Sequence, residues 1–284
     1  MYENKIKNYN FDFKNIINKD LEIKFFNFPN CFAFEIENFI NDEQYELLKN
    51  NLPNIKSPEF KDLNDQFFNL DYQHNKTFYI NEINKQNYEK HILSNKVLNN
   101  FSSIIKNPDF AKKLINKLYF KILYSRRKDF KNFFRLLFRK NKYGYKDKKS
   151  FTDQLFFNHL HTTFEIAYMY NGAESWPHTD GIKKVLSLLM YFPEDDSKEK
   201  QFESLGTTFY KSDEFCLKSE DYKINSFEKS REFKKKSILA GSFPYKKKSL
   251  FGFIKSHNSW HLVEPFDIKK DFIRKNFNIN ILLI

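Results

Sequence analysis

Apolar and polar residues alternate along the first part of the chain in a way that is typical of β-strands. The segments LEIKFFNF and CFAFEIENF place apolar residues at nearly every second position, as expected for strands with one buried face. Pro29-Asn30 lies between the two segments and predicts a turn. Asn41 then offers an N-cap for a helix over EQYELLKNNL, which we expect Pro53 to end.

A helical period replaces this alternation over residues 87–122. The apolar residues recur there every three or four positions, at Tyr88, Ile92, Leu93, Val97, Leu98 and Phe101. The segment AKKLINKLYFKIL continues the pattern after Pro108. A basic segment, residues 126–149, follows, and its first half predicts an amphipathic helix. Its apolar residues at helical spacing are Phe130, Phe133, Phe134, Leu137 and Phe138.

After Phe151 the pattern changes to short strands separated by turn residues. The strand-like segments are FEIAYMY, KVLSLLMYF, GTTFYK, KSLFGFIKS, SWHLV and RKNFNINILLI. Closely spaced strands without helices between them predict an antiparallel sandwich or barrel. The predicted fold class is therefore α+β, with a mixed region over residues 1–149 and a β-rich region over 150–284 that together form one continuous domain. Residues 194–201 and 215–236 are expected to be loops.

Composition and charge narrow the classes of protein that need to be considered. Hydrophobic residues make up 40% of the 284 residues, with 35 Phe and 16 Tyr, which is enough for a large core. The net charge is +12, but residues 126–149 contain 11 Lys/Arg and 2 Asp and so carry +9 of it. This segment could be a solvated helix and loop, lie on an anionic membrane surface, or bind phosphate on a nucleic acid or a substrate.

The cysteines and the N-terminus indicate a cytoplasmic, soluble protein. Cys31 and Cys216 are far apart and form no CxxC pair, so a disulfide framework is not expected in a chain of this size. The first residues lack the apolar run of a signal peptide, and no run of 18 apolar residues predicts a transmembrane helix.

The sequence WPHTDG contains the chemically most informative residues of the chain. His178 and Asp180 are two positions apart, so on an extended backbone their side chains share one face and could bind one metal ion. A third ligand must come from elsewhere, and His261 in NSWHLVEP is a candidate. His257 lies on the same face of a regular strand and competes with it. Two histidines and one carboxylate form the site of non-haem Fe(II) oxygenases.

The order of these motifs resembles that of the 2-oxoglutarate/Fe(II)-dependent oxygenase superfamily, particularly its prolyl-4-hydroxylase-like branch. The matching elements, in chain order, are Tyr170, Gly172, His178-Thr179-Asp180, KVLSLLMYF, Leu205-Gly206-Thr207-Thr208, His261 and Arg274. The resemblance covers about residues 160–284. It implies a double-stranded β-helix (jelly-roll) core with the N-terminal helices packed outside it. It also implies that His178, Asp180 and His261 bind Fe(II) at one mouth of the barrel.

The resemblance assigns a co-substrate site as well. In this family a basic residue after the second histidine binds the distal carboxylate of 2-oxoglutarate, and Arg274 has the matching position, since its guanidinium suits a carboxylate. Asn276 shares its strand face, where many relatives have Ser. Tyr170 would donate its hydroxyl to the same co-substrate, although Tyr168 on the same face is an alternative. The implied reaction consumes O₂ and 2-oxoglutarate, hydroxylates an unidentified organic substrate and releases succinate and CO₂, with ascorbate as an accessory reductant.

Two rival interpretations make different predictions. A basic nucleic-acid-binding or membrane-surface-binding module on a β-barrel scaffold would not need a metal, and its affinity would fall steeply with salt. A cupin-like metalloenzyme would hold a metal but would use neither Arg274 nor 2-oxoglutarate. The sequence contains no GxGxxG, Walker, GxSxG or HExxH motif, so dehydrogenase, ATPase, hydrolase and metalloprotease functions have no support.

Overall fold

The computed structural model describes most of the chain. The described residues are 13–29, 31–55, 77–144, 156–194, 205–213, 224, 226–268 and 272–284. Three of the features discussed above therefore lie outside them, in whole or in part. These are Cys216, the end of the basic segment after residue 144, and residues 195–201, 215–223 and 225 of the two predicted loops.

Helices in the described part of the chain come mainly from its first half. In chain order they are α1 Asn15–Asn18, α2 Asp42–Asn50, α3 Lys85–Tyr88, α4 Lys96–Lys106, α5 Pro108–Ser125, α6 Phe130–Phe138 and α7 Phe227–Lys236. A π-helical turn, Glu89–Leu93, connects α3 to α4. Among the described residues no helix combines the length and the apolar character that crossing a membrane requires.

The helix boundaries follow from local capping chemistry. Asn41 caps α2, since its side chain accepts a hydrogen bond from the backbone of Gln44 while the Gln44 side chain accepts one from the backbone of Asn41. The predicted helical region over residues 87–122 is confirmed, but it is divided at Asn107. That residue caps α5, and Pro108 occupies the first turn, where its missing N–H is no disadvantage.

The strands confirm the predicted positions in the second half of the chain. In chain order they are β1 Lys24–Phe25, β2 Ala33–Ile36, β3 Thr77–Ile80, β4 Lys140–Tyr143, β5 Phe157–Tyr170, β6 Lys184–Tyr191, β7 Thr208–Lys211, β8 Ile238–Ser242, β9 Leu250–Ile254, β10 Trp260–Leu262 and β11 Ile273–Leu283. The large sheet has the order β1-β2-β9-β6-β11-β5-β3, with β4 parallel to β5 and the other pairs antiparallel. A small antiparallel sheet has the order β10-β7-β8.

Each face of the large sheet packs against a different partner. One face contributes Phe164, Ile166 and Phe277 to a core shared with α2, α4 and α5. Residues such as Met169, Tyr191 and Phe253 belong instead to a second cluster that includes Phe209 of the small sheet. The architecture is therefore mixed α/β, with helices on one face of a large antiparallel sheet and a small sheet near the other.

Strands from both halves of the sequence share the large sheet. β2 pairs with β9, and β3 and β4 pair with β5. The first half of the chain is thus hydrogen-bonded into the sheet that the second half builds. The division between residues 149 and 150 stays a prediction.

One local expectation differs from the structure and another is confirmed. Residues 227–236 were expected in a loop but form α7, because Ser226 caps its first turn and three lysines occupy its last turn, where they complement the helix dipole. The predicted amphipathic helix exists as α6, but Phe130, Phe134 and Phe138 are exposed. Its apolar stripe therefore faces outward.

Candidate metal centre

The HxD motif lies in the connection between β5 and β6, outside any regular strand. His178 forms a single antiparallel bridge with His261 of β10, through two backbone hydrogen bonds of 3.1 and 2.9 Å. This bridge places the two imidazole rings side by side, with their centroids 4.2 Å apart. The backbone pairing itself therefore brings together two histidines that are distant in sequence.

Asp180 has a left-handed backbone conformation, with φ of 65°. Sequence reasoning placed His178 and Asp180 on one face of an extended chain, whereas the backbone turns at the aspartate. Asp tolerates this conformation better than most residues, at a cost of about 1–2 kcal/mol. The buried ammonium of Lys255 supports the segment by donating hydrogen bonds to the carbonyl and hydroxyl oxygens of Thr179.

The three predicted ligands converge in the structure. The ligand atoms of His178, Asp180 and His261 all lie within 4.8 Å of one another. His178 Nε2 is 3.9 Å from Asp180 Oδ1, and His261 Nε2 is 3.9 Å from Asp180 Oδ2. Asp180 and His261 are buried and His178 is partly exposed, so the site opens to its surroundings on the side of His178.

The histidine tautomers are set by backbone carbonyl groups. His178 Nδ1 lies 2.8 Å from the carbonyl oxygen of Trp176, and His261 Nδ1 lies 2.9 Å from that of Ser259. Because a carbonyl oxygen only accepts, each Nδ1 carries the proton and each Nε2 presents its lone pair toward Asp180. This is the arrangement usual for histidines that bind a metal.

Both carboxylate oxygens of Asp180 accept hydrogen bonds. Lys184 Nζ donates to Oδ1 at 2.7 Å, and Ser187 Oγ donates to Oδ2 at 2.7 Å. Burial by itself would raise the pKa of Asp180, but the ammonium of Lys184 and the two neighbouring histidines outweigh it and hold the pKa well below its ordinary value. The aspartate is therefore ionised at neutral pH.

His261 is held in its neutral form. Burial, followed by the neighbouring His178, lowers the pKa of His261 to about 3. A neutral imidazole is the form that binds a metal ion, so no proton has to be removed from His261 when a metal binds at neutral pH.

His257, the competing candidate for the third ligand, lies elsewhere. It lines a separate cavity together with Cys31, Tyr124 and Lys128. Burial, followed by the charges of Lys128 and Arg127, lowers the pKa of His257 to about 4. The metal-ligand cluster contains His261 and not His257.

Arg274 and Asn276 line the same cavity, of about 290 Å³, as the three clustered residues. The guanidinium of Arg274 is 2% exposed and donates to the carbonyl of Leu205, the amide oxygen of Asn276 and the sulfur of Met169. It also lies over the Tyr191 ring, 5.1 Å from the centroid. Among the described residues no carboxylate forms an ion pair with Arg274, so this buried guanidinium faces a cavity that Asp180 and Glu165 also line without pairing with either.

More polar residues of β11 line the cavity than Arg274 and Asn276, the two that the sequence predicted. Asn278 and Asn280 also line the cavity, and Asn276 donates to Asn278, which donates to Glu165 of β5 at 2.8 Å. The signal was present in RKNFNINILLI, where polar residues alternate with Phe and Ile. Lys184 was also missed, although its position four residues after Asp180 could have suggested an ion pair.

Tyr170 is not brought to the cavity. It is half-buried at the end of β5 and packs against the core that the helices share with the large sheet. Tyr168, on the same strand face, is buried there and donates its hydroxyl to the carbonyl of Pro53 at 2.9 Å. Strand alternation explains the difference, because Ala167 and Met169, on the other face, line the cavity. Tyr170 is not among the residues that line this cavity, and its contact with a co-substrate stays a prediction.

The donor set suits a divalent transition metal. Two imidazole nitrogens and a carboxylate occupy one face of an octahedral ion and leave three positions for other ligands. Ligands on one face of such an ion lie about 3 Å apart, given metal–ligand distances of about 2.1 Å. The separations of 3.9 Å from His178 Nε2 to Oδ1 and from His261 Nε2 to Oδ2 of Asp180 are about 1 Å longer than this, so metal binding would have to draw these side chains closer together.

Comparisons with known proteins returned solved structures only. No family model and no curated protein matches the sequence. Similar structures include a Pseudomonas putida prolyl-4-hydroxylase, with 13% identity over 43% of this chain and 49% of that chain and a TM-score of 0.25. The chain thus spans about half of that enzyme.

Two further matches extend over most of the chain. A viral collagen prolyl hydroxylase from Paramecium Bursaria Chlorella virus-1 is 13% identical over 89% of this chain and 90% of that chain, with a TM-score of 0.38. The epimerase SnoN, in complex with Fe³⁺, alpha ketoglutarate and nogalamycin RO, is 8% identical over 88% and 78%, with a TM-score of 0.42. Prolyl hydroxylases are thus among the structures to which the chain is similar, as its motif order indicated.

Proposed function

We propose that the protein is an Fe(II)- and 2-oxoglutarate-dependent oxygenase that hydroxylates an organic substrate. The observation that supports this most directly is the set of residues that line one cavity. The cavity is lined by two histidines and an aspartate that converge, and by a buried arginine that forms no ion pair with a described carboxylate. The first group suits a metal ion, and the second suits the carboxylate of a co-substrate.

The strand order supports a jelly-roll core for this site. From β5 onward the chain passes from the large sheet to the bridge at His178, back to β6, and then to β7 and β8 of the small sheet. It returns to the large sheet at β9, crosses to β10 and ends in β11. This alternation between two antiparallel sheets is what a double-stranded β-helix requires, and the His178 bridge lies beside β10 at the edge of the small sheet.

The residues of the site would have different roles in binding the metal ion and the co-substrate. His178, Asp180 and His261 would hold Fe(II), and the Ser187 hydroxyl would keep the carboxylate oriented through Oδ2. When bound, the iron and 2-oxoglutarate supply the oxidative chemistry. Arg274 would bind the distal carboxylate of 2-oxoglutarate, and Asn276, which accepts a hydrogen bond from Arg274, would fix the guanidinium in place.

In the overall reaction that we propose, O₂ and 2-oxoglutarate are consumed together. One O₂ and one 2-oxoglutarate would be consumed for each C–H bond hydroxylated, with one oxygen atom entering the substrate and the other entering succinate as CO₂ leaves. Asn278, Asn280 and Glu165 line the same cavity and would present polar groups to the substrate. The use of ascorbate stays a prediction from the resemblance.

The test is anaerobic titration of the protein with Fe(II) and then with 2-oxoglutarate, while the visible charge-transfer band of the chelate is recorded. We expect the band in the wild type and in His257→Ala, and its loss in His178→Ala. His257→Ala is the matched control because it removes a histidine that lines the other cavity. Absence of the band from folded wild-type protein would contradict the proposal.

The same titration distinguishes the rival functions. A cupin-like metalloenzyme would bind Fe(II) through the three ligands but would show no 2-oxoglutarate band, and Arg274→Met would leave its properties unchanged. For the oxygenase we expect Arg274→Met to weaken 2-oxoglutarate binding by about a hundredfold, since a buried charge-assisted pair is lost. Metal affinity should change little in that variant.

A further inference from the structure

Helix α6 presents its apolar stripe to the surroundings instead of to the core. Its side chains Phe130, Phe134 and Phe138 are 71%, 49% and 74% exposed, whereas Leu136 on the opposite side is 2% exposed. The three aromatic residues are spaced by four and so follow one another along one side of the helix. The rings of Phe134 and Phe138 stack, with centroids 5.8 Å apart. Amphipathic helices in globular proteins bury this kind of stripe, and α6 does the reverse.

Two further phenylalanines are exposed outside α6. Phe120 of α5 is 83% exposed, and Phe156, which precedes β5, is 63% exposed. A row of exposed aromatic rings along one helix is unusual for a protein surface that contacts only water. We call Phe130, Phe134 and Phe138 the aromatic surface.

Positive charge accompanies these rings. Lys128, Lys131 and Lys140 are exposed within or beside α6. Asp129, the acidic residue of this stretch, is already engaged, because it accepts hydrogen bonds from Asn132 and from buried Arg126. Among the described residues of this stretch, the exposed charged side chains that are not engaged in such contacts are therefore positive.

The helix is held firmly in this orientation. The buried guanidinium of Arg126 donates to the carbonyl oxygens of Ile182 and Lys184, and the hydroxyl of Tyr119 in α5 donates to the carbonyl oxygen of Leu136 at 3.1 Å. Presenting the aromatic surface to a partner thus requires no reordering of α6, and binding would lose little conformational entropy.

We propose that α6 docks the protein on an anionic phospholipid bilayer, with its phenylalanine side chains entering the interface and its lysines contacting lipid phosphates. This combination of an aromatic stripe and adjacent cations is what interfacial helices use. A second copy of the chain fits less well, because a symmetric dimer through this surface would place like charges against each other. The proposal does not depend on the enzymatic function.

The test is co-sedimentation of the full-length protein with vesicles of phosphatidylcholine alone and with added phosphatidylserine. We expect binding only where phosphatidylserine is present. The triple variant Phe130→Ser/Phe134→Ser/Phe138→Ser should lower the partition coefficient about thirtyfold or more, since each ring loses apolar burial. Ile83→Ser is the matched control, because Ile83 is an exposed apolar residue outside α6, and it should bind like the wild type.

A charge series completes the test. Lys128→Gln and Lys131→Gln should each weaken binding by roughly fivefold, whereas Lys229→Gln and Lys235→Gln in α7 should have no effect. Circular dichroism of each variant confirms that it is folded. Equal binding by the folded triple variant, or no binding by the wild type, would overturn the proposal. So would binding of single-stranded RNA without vesicle binding, or concentration-dependent self-association that the triple variant abolishes.

Discussion

At the scale of single residues, Asp180 combines three properties that are rarely found together. Its backbone is left-handed, its side chain is buried, and both carboxylate oxygens accept hydrogen bonds. Local strain of this kind is typical of functional sites, where the surrounding structure holds it in place. A metal ion would disturb the ion pair with Lys184. The Lys184 ammonium lies 2.7 Å from Asp180 Oδ1, which is also the carboxylate oxygen that faces His178.

We therefore predict that Lys184→Met tightens metal binding. The substitution frees Oδ1 of Asp180 and removes a positive charge close to the metal position, so affinity for Fe(II) or Mn(II) should rise about tenfold. Anaerobic isothermal titration calorimetry with the metal alone measures this. Lys183→Met is the matched control and should leave affinity unchanged, because Lys183 is exposed. Weaker binding in Lys184→Met would mean that the ammonium is needed to orient the carboxylate.

The residues of the site differ in how well they could be predicted from the sequence. His178, Asp180 and His261 could be proposed from the sequence because they occur in a recognisable order of motifs. The role of Tyr170 stays a prediction, because Tyr170 lies on the face of β5 opposite to that of Met169, which lines the cavity, and a sequence does not show which face of a strand meets a cavity. Lys184 and Ser187 were missed because their role depends on how the backbone turns after Asp180.

At the scale of elements, the capping box of α2 is a feature that sequence and structure describe in the same way. We predict that Asn41→Ala lowers the free energy of unfolding by about 1 kcal/mol, because the backbone N–H of Gln44 in the first turn loses its acceptor. Urea denaturation monitored by circular dichroism measures the change. Asn50→Ala, an exposed substitution at the last residue of the same helix, should be neutral. An equal loss in both variants would exclude capping as the cause.

Strands and helices differ in what their patterns reveal. The alternation in RKNFNINILLI predicted β11 correctly, since one face carries Phe277, Ile279, Ile281 and Leu283. The pattern of α6 predicted a helix but left its orientation open, because a hydrophobic stripe does not indicate whether it packs on the core or faces the surroundings. Strand β8 was not predicted, as Ile238 and Leu239 are exposed and Gly241 interrupts the segment.

At the scale of the whole molecule, the pairings that build the large sheet join distant parts of the chain. β2 pairs with β9, and β5 pairs with β11 over their full length. Such registers depend on the packing of complete faces and cannot be derived from local pattern. The sequence therefore predicted most strands of the second half of the chain, but not β3, β4 and β8 and not the order of the strands in the sheets. A cytoplasmic location also stays a prediction.

The candidate metal centre joins the two sheets, and this gives a prediction for the stability of the entire protein. His178 and His261 belong to the bridge beside the small sheet, whereas Asp180 precedes β6 of the large sheet and is bonded to Ser187 within it. Mn(II) with 2-oxoglutarate, each at a hundred times its dissociation constant, should therefore raise the free energy of unfolding by about 2.7 kcal/mol or more. The corresponding rise in Tm of several degrees is measurable by differential scanning calorimetry. A chelator should reverse it, His257→Ala should retain it and His178→Ala should lose it. An unchanged Tm in wild-type protein that binds both ligands would mean that they bind the unfolded chain equally well, and would contradict a site that exists only when the two sheets are assembled.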